Sequence, residues 1–445
     1  MTNRQNVFSK KNRKVLLLAA VVILGGAAGW AWLQGHKSDS QLSALRYPGQ
    51  PVSASELDRW YASVPAAENA AMKIQQAMAG LVAPQAVMAW PITNEVVTPE
   101  MEQLLAQLVR DNAEPLKLLR QAAALKQSRF PINLGSGLTV QLPHLSPMMQ
   151  AAQVLQRVAL HHSLQGNAGE ALECYFDSLG SSRALSQEPI LISELVRIAC
   201  VALAQRTLER LLNHHQFSEE QFAQMLQALR QTEAEGRESL RRALIGERCF
   251  GFDIFRRPRR GLAQAQGFAT STSAIESSAT EALFLLRRLS GIHGRDLRLY
   301  RETMDGYIQA AQLPFPEALI ETKRHSARMP SFGRTMDRIV YTISGLILPA
   351  MTKAVTKEAR IAAELRLAQA AILVERQRAG RSAAPVASLT KLAEDSLSIW
   401  PKDPFDGKPV RYQRLEAGYR VYSVGEDETD DGGNPKTDLC FSVRR

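Results

Sequence analysis

The chain reads as a mainly α protein: an N-terminal transmembrane helix, a multi-helix body, and a small carboxyl-terminal α+β unit. Three observations predict this. An uncharged run, Val15 to Leu33, follows a basic head. Apolar residues then recur at helical spacing from about Ser55 to Arg378, interrupted by caps, glycines and prolines. After Trp400 the spacing changes to the alternation of a strand. The chain has 445 residues, 45% of them hydrophobic, which exceeds one ordinary core and excludes wholesale disorder. Four cysteines in that length exclude a disulfide-built scaffold. The formal net charge of +10 raises nucleic acid as a partner, so its location decides that question.

Residues 1–14 contain Arg4, Lys10, Lys11, Arg13 and Lys14 and no acid, a local charge of +5. The 19 residues from Val15 to Leu33 carry no charge. As a helix they span roughly 28 Å, about the thickness of a hydrocarbon core. Trp30 and Trp32 stand at the far end, where aromatic rings favour the interface. The basic side stays cytoplasmic, so residue 34 onward is expected across the bacterial inner membrane, in the periplasm. A cleaved signal peptide would have a shorter apolar run and a small-residue site after it; here Gly25 to Gly29 lie inside the run.

Residues 34–54, with Pro48, Gly49 and Pro51, read as a linker, and 55–335 as the helical body. Ser55, followed by Glu56 and Asp58, is the expected cap of the first body helix. Ala67 to Val82 reads as a second helix, and Pro99 opens another running to about Lys126. Residues 127–147, rich in proline and glycine, read as a loop. Helices are expected at about 147–165, 168–185, 189–215 and 218–245, the last opened by a capping box of Ser218 with Gln221. The stretch Gly166 to Leu179 resembles the second half of one tetratricopeptide repeat, with Gly166 for the turn, Ala171 for close contact and Tyr175 as a knob. Residues 264–281 read as a loop or loose helix, and helices resume near Ala282–Leu289 and Asp296–Gln312.

Ile339 to Met351 is apolar but too short to span a bilayer. It leads through Pro349 into a long helix, about Ala350 to Arg378. Trp400 to Tyr412 contains Asp403-Pro404-Phe405, and Tyr419 to Gly425 alternates as a strand after a turn at Glu416-Ala417-Gly418. An acidic loop, Glu426 to Gly433, follows. The order of long helix, Asp-Pro-aromatic turn, Tyr-containing strand, Ser-x-Gly and acidic loop resembles the globular part of the major pseudopilins of type II secretion. The resemblance covers about residues 345–445, and the corresponding unit is drawn at 339–445. The N-terminal peptidase signature of that family is absent, and here the membrane segment lies more than 300 residues before the domain. The stretch Leu244-Ile245-Gly246-Glu247-Arg248 resembles uncharacterised membrane-anchored bacterial proteins and implies no activity.

The resemblance implies calcium at Asp427 and Asp438, with Asp430 and Asp431 as further oxygen donors nearby. Calcium takes ~6–8 oxygens, which clustered carboxylates and carbonyls supply. Otherwise the loop is a solvated acidic turn. No P-loop, GxSxG, HExxH or Rossmann fingerprint occurs. Adjacent helix residues such as His161-His162 and His214-His215 point about 100° apart and do not chelate one metal together. Cys174, Cys200, Cys249 and Cys440 lack CxxC spacing; Cys174 and Cys200 stand as free thiols or as a bridge between neighbouring helices. Residues 236–260 hold eight arginines against Glu238, Glu247 and Asp253, the second local +5. With the head this accounts for the whole +10, so the basic balance is a topology signal plus one patch, and no nucleic-acid partner is expected. The function expected is a single-pass envelope protein with a helical interaction or scaffolding module beside secretion or pilus-like machinery; the alternative is an envelope hydrolase with a site dispersed over the helices.

Overall fold

A computed structural model describes residues 44–92, 97–257, 287, 290–330, 335–380 and 400–444. The basic head, the anchor at 15–33, the Ser/Thr/Ala stretch 264–281 and the arginines at 259 and 260 lie outside the described residues. Among the described residues no helix is long and apolar enough to cross a membrane.

The described chain is helical with one small sheet. In order, the described α-helices of six residues or more are α1 (Ala54–Trp60), α2 (Ala70–Gly80), α3 (Pro99–Asp111), α4 (Ala113–Ala124), α5 (Leu145–Leu164), α6 (Ala168–Arg183), α7 (Leu191–His214), α8 (Glu219–Arg256), α9 (Ile292–Ala310), α10 (Glu317–Ala327), α11 (Thr335–Val340) and α12 (Thr342–Gly380). The strands are β1 (Arg411–Arg414), β2 (Tyr419–Ser423) and β3 (Leu439–Val443), antiparallel in the order β1-β2-β3.

Several boundaries differ from expectation for identifiable reasons. The α1 cap is Ser53, not Ser55: the Ser53 hydroxyl accepts the Glu56 N–H, and the Glu56 carboxylate reaches back to the Val52 N–H. The linker also ends earlier than residue 54, because Leu45 and Val52 are buried in the main core. The single helix expected from Pro99 is two, broken at Asn112. The Asn112 amide accepts the Val82 N–H and donates to the Val82 carbonyl, pinning the break to the end of α2. The capping box of Ser218 and Gln221 is present, but α8 runs on to Arg256. Helix α12 begins at Thr342, so Pro349 lies inside it. Proline costs a helix one N–H donor and crowds the carbonyl four residues back, which here belongs to Gly345.

The helical hairpin α5–α6 turns at Gly166, whose φ is +74°. Ala171 and Tyr175 are buried, as the hairpin reading requires. Helix α12 is the axis of the molecule. Ile343, Leu348, Met351 and Val355 join the core built with α8 and α9. Further along, Ile361, Leu365, Ala368 and Ile372 join a second core with α6, α7, α8 and the sheet. The carboxyl-terminal strands therefore share their core with the helical body. Tyr419, Val421, Phe441 and Val443 point into it, and the Tyr419 hydroxyl donates to the Ala371 carbonyl at 3.0 Å.

Strand β3 is an edge, and α7 covers it with polar side chains. The Ser442 N–H donates to Glu209 Oε1, and Asn213 donates to the Ser442 carbonyl, both at 2.8 Å. A paired edge cannot template another strand.

Candidate functional site

Three clusters concentrate the chemistry. The first joins the two carboxyl-terminal motifs. Asp403 is fully buried, and its carboxylate holds the turn to strand β2. Oδ1 accepts the Phe405 N–H at 3.0 Å and the Ser423 hydroxyl at 2.9 Å; Oδ2 accepts the Val424 N–H and Arg411 Nη1, each at 3.0 Å. Four donors on one carboxylate compensate its burial. Asp403-Pro404-Phe405 and Ser423-Val424-Gly425 thus act as one clamp.

The acidic loop hangs beside this clamp. Asp427 accepts the Thr429 N–H and is exposed. Asp430 accepts the Gly432 N–H at 3.1 Å and Arg411 Nε at 3.0 Å. The Gly432 N–H first, then Arg411 and Tyr422, hold the Asp430 carboxyl below the usual range. Asp431 is exposed. Asp438 is buried; its Oδ2 accepts the Gly433 and Asn434 N–H groups at 2.8 and 3.0 Å, and its Oδ1 is enclosed without a partner. Among the described residues no group of three or more His, Cys, Asp or Glu side chains is arranged to hold a metal.

The second cluster lies at the crossing of α8 with α9 and the chain before α1. Arg248 is fully buried. It donates to Asp305 Oδ1 at 2.9 Å and to Gln50 Oε1 at 2.7 Å, and its guanidinium lies 3.7 Å over the Tyr47 ring. The Tyr47 hydroxyl donates to Asp305 Oδ2 at 2.8 Å. Burial, then Asp305, push the Tyr47 phenol up, so it stays a donor at any physiological pH. A broad cleft of about 470 Å³ opens over this cluster, lined also by Arg301, Glu302, Gln309 and His325. The other residues of the Leu244–Arg248 stretch fix the crossing. Gly246 lets the Pro189 backbone approach, Glu247 accepts the Leu191 N–H, and the Glu247 carbonyl accepts the Tyr300 hydroxyl at 2.8 Å.

Burial raises the Glu247 carboxyl from its ordinary value to about 7, against the Leu191 N–H that lowers it. A carboxyl with a raised folded pKa binds its proton more tightly in the folded state, so its contribution to stability is lost as pH rises through that window. Glu247→Gln keeps the acceptor without the charge. It is expected to match the parent at about pH 4, below the unfolded pKa, and to exceed its stability at pH 8 by ~1–3 kcal/mol. Thermal unfolding at the two pH values checks this; a difference that does not grow with pH refutes it.

The third cluster was not legible as a group. In the interior Arg197 donates from Nε and Nη2 to both oxygens of Glu194, at 2.9 and 2.8 Å, and from Nη2 to Glu358 Oε2 at 2.8 Å. Ser239 donates to Glu194 as well. All four are buried. Burial works against the Arg197 charge, but Glu194 and Glu358 outweigh it and hold its pKa above normal; burial pushes Glu358 the other way, up to about 8. The signal available in the sequence was charge inside otherwise apolar helix faces: Glu194 three residues before Arg197, and Glu358 amid alanines. Nearby, His144 stacks on Phe130 at 4.1 Å and sits 3.0 Å from Glu188, which accepts the Ser193 hydroxyl.

The remaining candidates are separate. The His161 and His162 rings are 5.6 Å apart, and burial lowers both pKa values. His215 pairs with the Ser163 hydroxyl at 2.8 Å. All four cysteines are free thiols, so α6 and α7 are not bridged through Cys174 and Cys200. Burial raises Cys174, Cys200 and Cys249 to about 12, which leaves them inert as nucleophiles. Of the arginine cluster, Arg256 is engaged by Asp253 and the Val52 carbonyl.

Comparison with known proteins returned no matching family model, no matching curated protein and no matching solved structure.

Proposed function

We propose that the chain is a single-pass inner-membrane protein whose periplasmic body is an interaction and scaffolding module. The observation that carries this is the charge asymmetry at the N-terminus: +5 on residues 1–14, then 19 uncharged residues. The clusters above fit a scaffold, because their charged groups are engaged with one another and hold helices and strands together. What supports secretion or pilus-like machinery as the partner is the resemblance of the order of motifs at 345–445 to the pseudopilins. A reporter fused after Arg445 tests the topology. Activity confined to the periplasm is expected, and activity confined to the cytoplasm overturns the reading. Pull-down of the detergent-solubilised chain tests the scaffold role; recovery of no envelope protein counts against it.

The reading extends to a calcium ion at the acidic loop, held by Asp427, Asp430, Asp431 and Asp438. A ligand that binds the folded state alone raises its melting temperature by mass action. Millimolar calcium is expected to raise the melting temperature of the full chain, and Asp438→Asn to abolish the rise. An unchanged melting temperature removes calcium from the account.

A further inference from the structure

We propose that the outer face of α11 and the start of α12 rests on the surface of an anionic phospholipid bilayer, the one that holds the anchor. The inference rests on reading 15–33 as that anchor.

The face is apolar and exposed. Met336 is 68% exposed, Ile339 45% and Leu346 45%. Helical hydrogen bonds continue across the junction: the Tyr341 N–H donates to the Asp337 carbonyl and the Gly345 N–H to the Tyr341 carbonyl, both at 2.8 Å. Spacings of three and seven residues in a continuous helix put these three side chains on one side. Ser344 and Leu348, on the other side of the helix, are buried in the core, and Ile343 is buried as well. Large apolar groups grouped on a solvent face mark an interaction surface, whereas scattered ones do not.

The chain itself places this face near the membrane. Ten residues separate Leu33 from Ala44, so the body stands off the anchor by at most roughly 38 Å. Where the described chain begins, Leu45 lines a crevice with Leu297, Arg298 and Arg301 of α9. The residue before Leu297 is Asp296, whose carboxylate accepts the N–H groups of Ile343 and Ser344 at 3.0 and 3.1 Å. Arg287 joins Asp296 to the carbonyls of Ile339 and Val340. The point where the chain arrives from the anchor is therefore tied through one buried carboxylate to the base of the apolar face.

Charge selects lipid over a second apolar protein surface. Lys353 is exposed two turns after Leu346, and Arg295 and Arg298 are exposed on the first half of α9. Exposed apolar side chains with exposed arginine and lysine on the same and a neighbouring helix are the composition of interfacial helices, in which the charges meet phosphates. Affinity can be weak. A short tether fixes the effective concentration of the surface at millimolar order, so a weak contact is populated.

Full chain reconstituted into nanodiscs containing phosphatidylglycerol and a photoreactive phospholipid tests this, with adducts mapped by mass spectrometry. Adducts are expected in two places, residues 15–33 and residues 335–346. The exposed-site variant Met336→Ser/Ile339→Ser/Leu346→Ser is expected to reduce the second set at least about fivefold and leave the first unchanged. An unchanged melting temperature in that variant shows that the fold is kept. Adducts at 15–33 alone overturn this inference and leave the anchor standing. Adducts at neither place overturn both.

Discussion

Arg197→Met is expected to destabilise the folded chain by ~3–5 kcal/mol at pH 8, among the largest effects of any single substitution here. The reason is what remains. Glu194 and Glu358 stay fully buried with their shared cation gone, and among the described residues Ser239 alone still donates to the pair. An uncompensated buried charge costs more than the ion pair contributed. The loss should depend on pH with a definite sign. Without Arg197 the Glu358 carboxyl, already raised by burial, loses the neighbouring charge that holds it down, so the folded variant holds a proton that the unfolded chain releases. Its stability then falls as pH rises from about 5 to 8, and the gap from the parent widens. Unfolding curves at both ends of that range measure it. A triple replacement, Arg197→Met/Glu194→Leu/Glu358→Leu, should recover most of the loss, since apolar groups of similar volume often replace a buried ion cluster without cost. If the single variant unfolds like the parent, the cluster does not hold α7 to α12.

Gly246→Ala is expected to be comparably severe, at ~3 kcal/mol or more. A Cβ on Gly246 would stand 1.8 Å from the Pro189 carbonyl oxygen and 2.9 Å from its carbon. Both are backbone atoms, so no side chain can swing aside. The connection between α6 and α7 would have to move, taking with it the Leu191 N–H that Glu247 accepts. Gly169 is the internal control. It also lies in a helix, but a Cβ there meets nothing within 4 Å. Gly169→Ala should therefore stabilise by up to about 1 kcal/mol, the ordinary helix-propensity gain. The melting temperatures of the two variants should move in opposite directions. Equal shifts would mean that the close approach at Pro189 does not limit stability.

These two positions also mark how far local reasoning reached. The stretch Leu244–Arg248 stood out by its residues, yet nothing in it told that Gly246 meets Pro189 or that Arg248 meets Asp305 and Tyr47. Those partners are 57 to more than 190 residues away, and sequence spacing carries no information about them. The clamp at Asp403 was more legible. Its two motifs lie 20 residues apart, on a turn and on the second strand of the hairpin it leads into, so local geometry nearly dictates their meeting. The Ser53 cap was missed by two residues, because Ser53 and Ser55 both precede acids and only the backbone decides which hydroxyl meets a free N–H.

Composition, charge and period by themselves determined the class of this protein: helices with one small sheet, the capping box at Ser218, the turn at Gly166 and the strand at Tyr419. Each depends on neighbours within a few residues, and there the chemistry of one side chain and one backbone group suffices. The tertiary structure alone decided that α12 runs as the axis through both cores and that the carboxyl-terminal strands share the body's interior. It also decided that the charge hidden in α7 and α12 closes into one ionic cluster. Burial depends on which faces meet, and a helix with apolar residues on most sides does not declare which neighbour it will take. The basic balance of the whole chain follows the same division. Half of it was readable as a tail beside an apolar run, while the arginines of 236–260 took their meaning only when Arg248 was found inside the core and Arg256 against Asp253.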